Sequence, residues 1–231
     1  MEQDEVKRSE GEQRELVISD VHIGPIHEGY YPLTLVTNAG NIACRYYQAP
    51  NARRGVIWAG CAAGGWGSPA KGLYPRLCHE LMGRGISSLW VCYRHPTELA
   101  ESAVDVVAGI DYFHRDGVDV VALVGHSFGA AVVVQAAAVA PAVRTVVALA
   151  TQCPGAELVS QLAPGCSILL IHGVDDHILP PYCSEHVYSL AHEPKRLILY
   201  PMAGHSLDEV AEEVRDVVRD WIVEQLNKAI S

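Results

Sequence analysis

Val118-Asp119-Val120-Val121-Ala122-Leu123-Val124-Gly125-His126-Ser127-Phe128-Gly129-Ala130 is the stretch on which the fold turns. Its first eight residues are almost all apolar and largely β-branched, which reads as a strand buried on both faces. From about 128 to 140 the chain becomes rich in Ala and Val, which reads as a helix. Between the two lies Gly-x-Ser-x-Gly, with no room for a loop. A serine there must sit at the tip of a very sharp strand-to-helix turn. Glycines two before and two after it let strand and helix approach closely. The pentapeptide alone also fits a tight turn whose serine merely caps the helix. The strand before it and the helix after it favour a reactive serine at the head of a helix, where backbone N–H groups point outward.

Working outward, apolar runs and helical spacings alternate. Before the quoted stretch come GVIWAG (55–60), a helix with Leu73, Leu77 and Leu81 on one face (71–84), SSLWVCY (87–93), and a helix over 98–115 burying Ala103, Val106, Val107, Ile110 and Phe113. After it come strand 144–151, strand 167–172, a helix near 183–191, strand 196–201 and a last helix near 207–228. This alternation predicts βαβ units and a mostly parallel central sheet of about seven to eight strands covered by helices: an α/β fold. Residues 15–24, 32–37 and 41–48 predict antiparallel strands at the N-terminal edge. Residues 1–14 are read as a flexible tail and 15–231 as one α/β domain. The link from 151 to 167 is too short to hold a large cap.

Composition narrows the function classes. The 231 residues carry 27 Asp plus Glu against 17 Lys plus Arg, a formal charge of −10. An acidic chain without a basic stripe argues against nucleic acid and anionic membranes as partners. The opening MEQDEVKRSEGEQREL has no apolar core, so it does not read as a signal peptide, and no run approaches the roughly 18 apolar residues of a span. Seven scattered cysteines with no CxxC pair read as buried thiols of a reducing compartment rather than a disulfide framework. Together these predict a cytoplasmic protein.

A serine hydroxyl is a weak nucleophile and needs a base held by an acid. Strand 167–171 runs into His172-Gly173-Val174-Asp175-Asp176-His177-Ile178-Leu179-Pro180, and strand 196–201 into Ala203-Gly204-His205-Ser206. Both loops follow strands, on the same edge as Ser127. GHSFGA, HGVDDHILP and AGHS together resemble the nucleophile elbow, acid loop and histidine loop of the α/β-hydrolase superfamily. The likeness covers roughly residues 40–228 and is nearest to the small lidless branch of dienelactone-hydrolase-like and carboxylesterase-like proteins.

The resemblance implies an acyl-transfer enzyme acting on a small ester or thioester without a cofactor. Ser127 would be the nucleophile and His205 the base. The family spacing, three residues after Gly173 and four before Pro180, makes Asp176 the acid, with Asp175 as the fallback. Oxyanion donors would be the N–H groups of Phe128 and of Cys61, the latter just past Ala59-Gly60. Trp66 could wall the substrate pocket, or cover the core under its loop. Arg94 could project a cation towards a carboxylate-bearing substrate, or form a structural salt bridge. His126 is expected to point away from the site, and Cys61 to be a bystander thiol.

Two competing readings belong beside this one. The same fold can serve a non-catalytic binder. Asp20-Val21-His22 also looks like the first ligand motif of metallophosphoesterases, and His172, Asp175, Asp176 and His177 make a tempting cluster. That family's later ligand motifs are missing here, so no metal site is expected.

Overall fold

In a computed structural model, residues 16–60, 62 and 64–229 are described. The strands are β1 (Ile18–Ile23), β2 (Tyr31–Thr37), β3 (Gly40–Tyr47), β4 (Arg54–Ala59), β5 (Ile86–Cys92), β6 (Val120–His126), β7 (Val143–Leu149), β8 (Ser167–Gly173) and β9 (Lys195–Tyr200). The helices are α1 (Pro69–Met82), α2 (Leu99–Arg115), α3 (Phe128–Val139), α4 (Tyr182–Leu190) and α5 (Ala211–Lys228). One sheet of nine strands runs β1-β2-β3-β5-β4-β6-β7-β8-β9. The six from β5 to β9 are mutually parallel, and β1, β2 and β3 join antiparallel. The sheet thus has nine strands where about seven to eight were expected, with the antiparallel strands at the N-terminal edge where they were expected.

The two kinds of strand differ as their sequences do. In β2, Leu33, Leu35 and Thr37 are buried while the residues between them are more open, so one face is covered. In β8, all seven residues are buried, because helices cover both faces. Val106, Ile110 and Phe113 of α2, together with α3 and Val187 of α4, pack on one face. Leu73 and Leu77 of α1, with Val214, Val218 and Ile222 of α5, pack on the other. The helix α3 is apolar all round and accordingly lies buried between α2 and the sheet.

Strand order places the site. From β4 the chain crosses through α1 to β5 on one side, then returns through α2 to β6 on the other. The loops after β4 and β6 therefore part in opposite directions, and their carboxyl ends open a crevice. Between β7 and β8 only a single-turn 3₁₀ segment, Glu157–Gln161, intervenes.

The cysteine reading needs correction. Cys153, in the loop after β7, is disulfide-bonded to Cys183, in the first turn of α4. Thirty residues apart in sequence, they meet because adjacent strands deliver both segments to one edge of the sheet. Cys44, Cys78, Cys92 and Cys166 are free thiols. The cysteine pattern therefore carries no argument for a reducing compartment. Among the described residues, no helix is long and apolar enough to cross a membrane.

Candidate active site

Ser127 stands between the last residue of β6 and the first of α3, with φ 58° and ψ −120°. A non-glycine residue rarely takes that conformation, and it persists only where its surroundings enforce it. Here the Ser127 N–H donates to the Leu149 carbonyl at 2.8 Å, and its own carbonyl accepts from Ala130 at 3.0 Å. A Cβ on Gly125 would lie 2.0 Å from the Gly129 carbonyl oxygen, and one on Gly129 would lie 2.4 Å from that of Gly60. Both glycines of the pentapeptide are thus required by close approach. The serine side chain makes no helix-capping hydrogen bond, so the capping reading fails. Phe128, the first residue of α3, carries an N–H without an acceptor inside the helix. Cys61 lies outside the described residues.

The two downstream loops meet beside it. A Cβ on Gly173, at the end of β8, would fall 2.1 Å from the carbonyl oxygen of Ala203. That contact draws the loop holding Asp176 against the loop holding His205. Asp176 turns inward and is buried, whereas Asp175 is exposed. Oδ2 of Asp176 accepts from His205 Nδ1 at 2.7 Å and from His172 Nε2 at 3.0 Å. Oδ1 accepts from the N–H groups of Ile178 at 2.8 Å and Leu179 at 2.9 Å. Four donors fill the carboxylate's acceptor positions. Burial alone would push its pKa up, but the hydrogen bonds from His205, Leu179 and Ile178 outweigh it and hold the carboxyl below its usual range.

Two further histidines complete the network, and one was misjudged in the sequence. His126 does not point away. Its Nε2–H donates to the His205 carbonyl at 2.8 Å, and its ring lies 4.8 Å from the His205 ring. That hydrogen bond draws it over the histidine loop. Burial lowers its pKa to about 4, so it is neutral near pH 7. His172 is fully buried: Nε2 reaches Asp176 and, at 3.1 Å, the Leu179 carbonyl, while Nδ1 accepts from Ser184 Oγ at 2.7 Å. Burial likewise lowers its pKa. No sequence signal marked His172 as a second partner of the acid, because its separation from Asp176 acquires meaning only once the loop bends back.

Ser127, His126 and His205 line a cavity of about 320 Å³, closed opposite by Gly60, Gly67 and Ser68. Among the described residues, no direct hydrogen bond joins Ser127 Oγ to His205. Such contacts are often long without substrate and tighten when it binds. The two expected substrate contacts lie elsewhere. The Arg94 side chain is 5% exposed and gives Nε to Asp105 at 2.6 Å, Nη1 to the Ala39 carbonyl at 2.9 Å and Nη2 to Glu101 at 3.1 Å. With every face of its guanidinium engaged it braces β5 against α2, so the substrate-facing reading is corrected to the structural one. Trp66 packs edge-on against Trp90 at 5.4 Å between ring centres and lines a different cavity. Asp20 and His22 pair with each other on β1 at the far edge of the sheet.

Comparison with known proteins fits this architecture. Residues 82–221 match the model of the dienelactone hydrolase family. The chain belongs to that family. Among solved structures it resembles a dienelactone hydrolase from Anabaena variabilis (TM-score 0.73, 17% identity, 85% of this chain and 97% of that one). It also resembles XC6422 from Xanthomonas campestris, described as an α/β serine hydrolase without lid (TM-score 0.68, 19% identity, 86% and 98%). A third is Est1E from Butyrivibrio proteoclasticus (TM-score 0.68, 16% identity, 90% and 100%). At those identities the likeness is one of fold, an α/β-hydrolase fold. In sequence, 77 residues are 40% identical to the uncharacterized protein YfhR of Escherichia coli K12, covering 33% of this chain and 26% of that protein. This dienelactone hydrolase family member thus matches only about a quarter of that curated relative's length.

Proposed function

We propose that this chain is a serine hydrolase that cleaves an ester or thioester of a small molecule through Ser127, His205 and Asp176. The observation that carries the reading is the 2.7 Å hydrogen bond from His205 Nδ1 to a buried, fully satisfied Asp176. It fixes the Nδ1–H tautomer and leaves Nε2 as a base beside a cavity that also exposes Ser127.

Ser127 Oγ attacks the carbonyl carbon as its proton passes to His205 Nε2. Asp176 stabilises the resulting imidazolium. The Phe128 N–H donates to the developing oxyanion, and the Cys61 N–H is the second donor by resemblance. His205 returns the proton to the leaving alcohol or thiol. Water then attacks the acyl-enzyme with His205 again as base, which frees the acid product and restores Ser127. No step needs a cofactor. With only a 3₁₀ turn between β7 and β8, the cavity has no large cap from that connection, which suits modest-sized substrates. The described sheet and helices form the single domain that does this.

Intact-mass measurement after treatment with a fluorophosphonate is the test. A single stoichiometric adduct on the parent, absent from Ser127→Ala and His205→Ala, is expected. An unlabelled parent that is folded would overturn the reading and favour a binding protein on the same fold.

A further inference from the structure

Gly60, Gly67 and Ser68 line one cavity, and Trp66 lines another. The first holds Ser127. The other, about 470 Å³, is lined by residues of the antiparallel strands β1, β2 and β3 and by Trp66. Its size falls within the range of small-molecule sites. Arg45, a partly buried residue of β3, lines it. The Arg45 guanidinium carbon lies 4.3 Å from the ring centre of Trp66, 4.9 Å from that of Tyr30 and 5.4 Å from that of Trp90.

Three rings around one cation hold it still and strip water from its faces. They leave its edge, where the N–H donors are. Guanidinium has five donors and no acceptor. Among the described residues Arg45 makes no hydrogen bond and no ion pair. The contrast with Arg94 is direct, since that guanidinium spends its N–H groups on two carboxylates and a carbonyl. The acids nearest in the chain, Asp20 and Glu28, are turned to His22 and His27. The remaining walls divide by chemistry: Ile23, Pro32 and the faces of Tyr30 and Trp66 are apolar, and Thr34 offers a hydroxyl.

We propose that this cavity is a second binding site, distinct from the serine cavity, for a small organic carboxylate with a flat apolar body. The carboxylate takes the free edge of Arg45 in a bidentate fork, which suits a planar guanidinium better than a point charge. The body of the ligand lies along Tyr30, Trp66 and Pro32. The chain as a whole is acidic, with a formal charge of −10, so the anion is recognised by this local arrangement and not by long-range attraction.

Benzoate tests it, with benzamide as neutral isostere and inorganic phosphate as a compact anion, titrated by calorimetry into the full chain carrying Ser127→Ala. Because that background cannot perform the serine chemistry, binding here stands or falls independently of the hydrolase reading. Saturable one-to-one benzoate binding is expected, weakened roughly 10- to 100-fold by Arg45→Gln. Benzamide should bind much more weakly. Thr34→Trp, which fills the cavity from its partly exposed rim and leaves Arg45 intact, should abolish binding, and it keeps the test available if Arg45→Gln does not fold. Benzoate binding unchanged by these substitutions, benzamide binding as tight as benzoate, phosphate binding alone, or no benzoate binding by folded protein at millimolar concentration would each overturn the proposal.

Discussion

Two aspartate–histidine pairs sit at opposite ends of this sheet. On β1, Asp20 and His22 meet at 3.0 Å with their side chains 66% and 69% exposed. At the carboxyl edge of β8 and β9, Asp176 and His205 meet at 2.7 Å with side-chain exposures of 0% and 18%. The chemistry is the same and the distances are close, but the surroundings differ. Water competes with the first pair on every side, so its geometry is not enforced. The second has its carboxylate saturated by four donors and its histidine facing a cavity. A pair acquires a role when its partners leave it one conformation and one tautomer, and burial achieves that only at the carboxyl edge.

The largest effect that could break this contrast is on turnover. If the proposed chemistry holds, Ser127→Ala and His205→Ala should each lower kcat on any ester the parent hydrolyses by about 10⁶-fold, by analogy with known serine hydrolases, leaving only background. Rates would be compared on proteins whose thermal melts match the parent. Retained turnover in Ser127→Ala would remove the carboxyl-edge pair from the chemistry altogether. Next comes Asp176→Asn. The amide presents an N–H where His205 needs an acceptor, or forces the other tautomer, so kcat should fall by roughly 10⁴-fold with little change in shape. Asp175→Asn, on an exposed carboxylate one residue away, should leave kcat near the parent value. Equal losses in the two variants would mean that loop geometry, not the Asp176 hydrogen bonds, is what matters.

This distinction was half legible in the chain. The strands and helices fall within a few residues of where periodicity put them, because β4, β6 and β8 are apolar on both faces and α2 carries a single stripe. Ser127, Asp176 and His205 were expected to meet because each follows a parallel strand, and the fold brings Asp176 into hydrogen-bond contact with His205 and sets His205 and Ser127 in one cavity. The partners were not legible. Arg94 finds Asp105 eleven residues on, which depends on how α2 docks beneath β5. His126 turns inward for a carbonyl seventy-nine residues away. Trp66 looked like a pocket wall, and it is one, but for the cavity beside Arg45. Loop residues acquire partners from the packing of several elements, and no local pattern encodes that.

Acid sharpens the comparison further. His126 is neutral in the fold, with its pKa lowered from 6.5 to about 4, and burial also lowers that of His172. As pH falls below about 6.5, the unfolded chain takes up protons that the native state refuses. Stability therefore declines with falling pH from about 6.5 towards about 4, by up to roughly 1.4 kcal/mol per pH unit for His126, and His172 adds to the decline in the same direction. Asp176 acts lower. Its folded-state pKa is depressed, so its contribution is complete above the unfolded value of about 3.9 and is lost as pH drops through the folded one. Urea unfolding across that range should show His126→Gln flattening the upper part of the acid limb and leaving the part below pH 4. An unchanged upper limb would mean His126 is not held neutral by burial.

The smallest expected effect is the one that best isolates environment from chemistry. Asp20→Ala and His22→Ala remove a carboxylate and an imidazole already in hydrogen-bond contact, much as Asp176→Asn and His205→Ala do. The Asp20 carboxyl is held below its usual range by the Val21 N–H first and by His22 second, so even its charge does not depend on the histidine alone. Both groups stay in water when the partner is lost, so no buried donor or acceptor is orphaned. Melting temperature and kcat/KM should match the parent within error. Loss of activity in either variant, restored by added divalent metal, would revive the metal reading of Asp20 and His22. Loss without such rescue would place β1 in contact with the serine cavity, and the division between the two ends of the sheet would have to be redrawn.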